Sequence, residues 1–86
     1  MQSLVMPQIN LNGSSRGSLV EQQCEVLEHL REVYRAMGEA SPNGRDYQFR
    51  PAEFRPAQEA WQERVKMIHS LMQEIESHAM AIQDGE

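Results

Sequence analysis

Between Asn43 and Arg55 the chain gathers the side chains best suited to hold an anion. Arg45, Arg50 and Arg55 recur every five residues, with Tyr47, Phe49 and Phe54 among them and Asp46 and Glu53 alongside. A guanidinium offers a planar fork of donors that meets a carboxylate or phosphate with two bonds at once, and aromatic faces stack on bases and rings. Arg64 follows two turns into the next apolar-periodic segment. A helix starting near Pro56 adds the free N–H groups of its first turn and the positive end of its dipole to the same attraction. Asn43, Arg45, Asp46, Tyr47, Arg50, Arg55 and Arg64 are therefore the expected ligand- or partner-binding residues. In that reading Arg45 and Arg50 hold phosphate, Tyr47 stacks, and Arg55 lies near the helix N-terminus. The structural alternative uses the same residues differently: Asp46 and Glu53 pair with the arginines, Phe49 and Phe54 plug the end of a core, and Asn43-Gly44 turns the chain.

No other stretch has the spacing of a site. There is no Gly-x-Ser-x-Gly, no phosphate-cradling P-loop and no Gly-x-Gly-x-x-Gly, and no His is placed to activate Ser14, Ser15 or Ser18. Glu25 with His29 and Glu74 with His78 stand four apart and share a helix face, but a di-metal bundle site needs Glu-x-x-His at three plus further inward glutamates. These pairs read as surface i,i+4 partners. Cys24 is the only cysteine, which excludes an internal disulfide, and it falls in an apolar-periodic segment, where a small buried hydrophobe is expected. The expectation is no catalytic residue, no metal and no cofactor.

The net charge is −5 over 86 residues, against the basic face of a general nucleic-acid binder. Its distribution is uneven. In 31–66, Arg31, Arg35, Arg45, Arg50, Arg55, Arg64 and Lys66 outnumber the acids by one, whereas 67–86 carries Glu74, Glu76, Asp84 and Glu86 with no Lys or Arg. No segment approaches about 18 consecutive apolar residues, and the first residues lack the basic and apolar regions of an export signal. A cytoplasmic protein without a membrane segment is expected.

The elements that must position the tip follow from periodicity. Residues 1–17 are polar and turn-rich around Ile9 and Leu11, and read as an extended or flexible arm. Ser18 followed by Glu21 has the form of a capping box. From there Val20, Leu27 and Tyr34 repeat every seven, Leu19, Val26 and Val33 run beside them, and Cys24, Leu30 and Met37 fill the gaps. This predicts a helix over 18–37 ending at Gly38 as a left-handed C′ residue. Pro42, Asn43-Gly44, Pro51 and Pro56 mark 38–55 as a loop. Trp61, Val65, Ile68, Met72, Ile75, Ala79 and Ile82 then recur at fours and threes, predicting a helix over 56–83 with 84–86 as a tail.

The fold class is thus all-α: an antiparallel two-helix hairpin with an N-terminal arm. The apolar arc of the second helix, widened by Met67, Leu71 and Met80, exceeds what one neighbour covers, which predicts homo-oligomerisation as a helical bundle. Trp61, Ile68, Leu71, Met72, Ile75, Ala79 and Ile82 are the expected oligomer interface, in a dimer or a higher assembly.

"INLNG" at 9–13 and "PNGRDY" at 42–47, joined by a helix and followed by a long helix with Ala57 and Glu63-Arg64, resemble short proteins encoded by phages and prophages of proteobacteria. The resemblance spans nearly the whole chain. Members carry a second aromatic after their tyrosine where this chain has Gln48. The resemblance implies a non-virion phage protein that binds and disables a host component, including by sequestering nucleotide second messengers of host defence, with an arginine and tyrosine site repeated at subunit interfaces. Three readings stand: a non-enzymatic protein sequestering an anionic, nucleotide-like ligand; an inhibitor or adaptor docking a host protein through 43–55 or its apolar helix face; and a minor virion or assembly component.

Overall fold

The computed structural model describes residues 4–9 and 15–85. Helix α1, Arg16–Glu39, begins two residues before the predicted start. Two serines stand three apart there, and the first is the cap: the Ser15 hydroxyl accepts the N–H of Ser18 at 3.1 Å, while the Ser15 carbonyl takes the N–H of Leu19. Ser18 therefore occupies the third helical position and does not form the box with Glu21. The far end also differs from expectation. Gly38 lies inside the helix, and α1 runs on to Glu39, where Ala40 returns its N–H to Ala36. The stop comes from Pro42, which disfavours helical backbone at Ser41.

Helix α2, Phe54–Asp84, starts two residues before Pro56. Proline is tolerated at this third position because no N–H in the first turn has a partner within the helix. The segment between the helices contains two short 3-10 turns, Gly44–Tyr47 and Pro51–Glu53. The second runs directly into α2. At its other end α2 closes on Gly85, whose φ of 78° is left-handed and whose N–H returns to Ala81 and Ile82. This is the glycine cap expected at Gly38, moved to the other helix.

The helices pack antiparallel. Three contacts set their register: the Trp61 indole N–H donates to the Met37 carbonyl at 2.8 Å, the Tyr34 and His69 rings lie 5.8 Å apart, and a Cβ placed on Gly85 would stand 3.0 Å from the Arg16 guanidinium. The last contact seats a cation over the carbonyl end of α2, where the helix dipole is negative. The first satisfies a C-terminal carbonyl of α1, which Ser41 Oγ also approaches.

Inward positions are Val20, Gln23, Leu27, Leu30, Tyr34 and Met37 on α1, facing Trp61, Val65, Ile68, Met72, Ile75, Ala79 and Ile82 on α2. Among the described residues only Leu27, Ile75, Ala79 and Ile82 are buried, and each keeps a few per cent of its surface in contact with solvent. The whole chain measures 63 × 21 × 17 Å, and two helices side by side cannot enclose more. Most of the expected oligomer interface is thus taken up inside one chain: Ile75, Ala79 and Ile82 are buried, and Trp61, Ile68, Leu71 and Met72 are half-buried.

The two sides of the hairpin differ. In an antiparallel pair, residues just before the first inward position of each heptad on both helices flank one side, and those just after the second flank the other. The first side carries Leu19, Val26 and Val33 with Arg64, Leu71 and His78, and the second carries Cys24, Arg31 and Gly38 with Gln62, His69 and Glu76; Cys24 is exposed there and not buried as expected, because it flanks the inward Gln23 and Leu27. One side is apolar and the other polar. Of the N-terminal segment, residues 4–9 have no regular structure, and Leu4 and Met6 line an open cavity together with Ser70, Glu74, Ser77 and His78 of α2. Leu11, the other half of the expected Ile9–Leu11 alternation, lies outside the described residues.

Candidate functional site

The tip is built outward from Asn43. Its side-chain Oδ1 accepts the Arg45 N–H at 2.9 Å and its carbonyl accepts the Asp46 N–H, closing the first 3-10 turn. That turn presents Tyr47 to Phe54, the first residue of α2, with ring centroids 5.6 Å apart and planes tilted by 41°, an arrangement favoured by ring quadrupoles. Phe54 is the residue that plugs the hairpin end, and Tyr47 is half-buried against it, so one face of the expected stacking ring is spent on packing.

Each arginine is engaged beside itself. Arg45 Nε donates to Asn43 Oδ1 at 3.4 Å, Arg50 lies 3.6 Å from Glu53, and Arg55 lies 3.3 Å from Glu59. Arg64 donates to the Ala60 carbonyl of its own helix at 2.9 Å. The described structure does not bring these four side chains onto a shared point. All are exposed, and exposed ion pairs contribute about 0–1 kcal/mol each, so the pairing holds them only loosely. Asp46 makes no ion pair among the described residues.

The N-terminus of α2 is a weak anion site. The Phe54 N–H is taken by the Pro51 carbonyl, Pro56 has no N–H, and Glu53 places a carboxylate at the cap position. A shallow groove behind the tip is lined by Arg55, Gln58, Glu59, Gln62, Glu63 and Lys66, with both signs of charge facing one another. Phosphate would meet carboxylates there.

What the tip offers most openly is Phe49, which is 98% exposed. It sits between the two 3-10 turns, with Arg45 and Arg50 near it in sequence, held by a backbone bonded on both sides: Arg50 N–H to the Tyr47 carbonyl and Glu53 N–H to the Arg50 carbonyl. The expected core plug of Phe49 with Phe54 is thus half right, because only Phe54 turns inward. No spacing signal separates the two rings, and none pairs Trp61 with Met37 or His69 with Tyr34. Elsewhere, Glu25 and His29 form an exposed pair at 3.8 Å. No group of three or more metal-ligating side chains gathers among the described residues, and no helix among them is long and apolar enough to cross a membrane.

No protein-family model matches this chain, and no curated protein or solved structure matches it. The geometry of the tip and of the helix faces is what bears on function.

Proposed function

We propose that this protein is a non-enzymatic docking module that grips a protein partner with its tip, residues 43–55. The observation that carries this reading is the full exposure of Phe49 on a loop that is itself hydrogen-bonded. Ordering a large ring in water gains nothing by itself, whereas a rigid aromatic entering a pocket on a partner is the usual centre of an interface, and arginine is the side chain that most often accompanies it. Arg45, Arg50 and Arg55 exchange weak local pairs for the rim of that contact. The partner that fits is a protein with an apolar pocket bordered by carboxylates.

Sequestration of an anionic, nucleotide-like ligand by Arg45, Arg50, Arg55 and Tyr47 is the competing reading. It requires the arginines to leave their present partners and converge, and it leaves Phe49 without a use. The two separate in one experiment. With the photo-crosslinking residue p-benzoylphenylalanine at position 49, the docking reading expects a discrete crosslinked protein that competes away with unlabelled wild type, and Phe49→Ala with unchanged helicity should lose that competition. Saturable heat with a nucleotide panel that vanishes in Arg45→Ala but persists in Phe49→Ala would instead establish the ligand reading.

A further inference from the structure

We infer that the apolar side of the hairpin is covered by a second copy of this chain, in a twofold arrangement that places the axis near the middle of α2 and sets Arg64 of each copy opposite Glu74 of the other. Three observations carry it, none of which involves the tip.

The first is area. The chain exposes 6896 Å², whereas a compact monomer of its 9.9 kDa mass would expose about 5,200 Å². That surplus is spread over the helix faces, the tip and the N-terminal arm, and it exceeds the ~800 Å² that each partner contributes to a standard interface. The four buried side chains among the described residues are a small core for a chain this long, and small domains without disulfides or metal commonly complete theirs by association.

The second is sidedness. Val26, Val33 and Met67 are exposed by 42%, 43% and 66%, and Leu19 and Leu71 are half-buried beside them. All five lie on the one apolar side, while the opposite side carries Arg31, Gln62, His69 and Glu76, with Met80, exposed by 57%, as the large apolar side chain of α2 among them. Five apolar residues gathered on one side of a hairpin form a contiguous patch, which monomers rarely leave in water.

The third is charge. Along the α2 edge of this side Arg64 and Glu74 stand symmetrically about residue 69, which is also the midpoint of Phe54–Asp84, while Glu63 and Lys66, paired with each other, border the groove beside Met67. In a twofold contact residue i meets j and j meets i. Laying α2 antiparallel on its copy about residue 69 therefore brings the two chains into full overlap, Met67 and Leu71 to the axis, and both opposite charges together, the two pairs about 15 Å apart along the helix. With the twofold axis running along the helices instead, α2 would lie over the α1 of the copy and Arg64 would face Val33 and Ala36, with no carboxylate to meet. The hairpin tips consequently point to opposite ends of the dimer and stay free.

The test is sedimentation equilibrium on the full chain with three charge variants. The wild type should be a dimer at tens of micromolar. Arg64→Glu should raise its dissociation constant at least tenfold, as should Glu74→Arg, and the double exchange Arg64→Glu with Glu74→Arg should restore most of the loss, with helicity by circular dichroism equal in all four proteins. Leu71→Glu should give a monomer. A wild type that stays monomeric at 200 µM overturns the inference and assigns the apolar side to a different protein. Dimers whose affinity is indifferent to single reversal, or not recovered by the double exchange, overturn the proposed pairing.

Discussion

Single side chains already decide which of two similar residues holds a structure together. Ser15 and Ser18 are both serines ahead of an apolar run, yet only Ser15 accepts a helix N–H. Ser15→Ala should therefore cost about 1 kcal/mol, as loss of an N-cap does, while Ser18→Ala should shift the urea midpoint hardly at all; equal effects would contradict the assignment. Trp61 spans the hairpin with one hydrogen bond, and Met37 keeps only the 3.4 Å approach of Ser41 without it. Trp61→Phe should lower stability by about 1 kcal/mol with an unchanged denaturant slope, and a variant as stable as wild type would show that the bond is replaced by water. The arginines of the tip are legible in the sequence as a cluster but not in their bonding. A long exposed side chain chooses among nearby carboxylates and carbonyls by distances of a few ångströms, and spacing along the chain does not encode those.

At the scale of elements, the inward stripes are readable because burial imposes them at threes and fours. Trp61 to Ile82 follow that rule through six turns, and Leu27 with its neighbours follows it on α1. The ends are less readable because several residues can stop a helix. Gly38 and Pro42 both stand near the end of α1, and the proline acts. Substitution separates the two glycines by the sign of its effect. Gly38 has helical backbone, and a Cβ added there would meet no neighbouring atom within 4 Å, so Gly38→Ala should stabilise the fold by about 0.5–1 kcal/mol. Gly85 at φ 78° should do the reverse, and Gly85→Ala should cost about 1 kcal/mol. A destabilised Gly38→Ala would mean that α1 ends at the glycine after all. The two 3-10 turns follow from Asn43 and Pro51, a turn-forming amide and a fixed φ, but the exposure of Phe49 between them does not. That depends on which of three aromatics reaches the hairpin end first, and Phe54 is carried there by α2.

The whole molecule is a rod. Its Cα radius of gyration is 18.4 Å, against about 12 Å for a compact domain of this length. Small-angle scattering on the monomeric Leu71→Glu variant should return a longest dimension near 63 Å, and in the wild type the cross-section should thicken while that dimension changes little. A doubled length would indicate hairpins joined end to end. On the two proposals above, such a rod separates its tasks by position: helix faces for assembly, tip for capture. The indole bonded to Met37 sits at the tip end and is the chain's single tryptophan. One intrinsic fluorophore therefore stands where the tip meets the shaft. Its emission should redden before the far-ultraviolet ellipticity falls if the two ends of the rod melt separately, and in step with it if they melt as one.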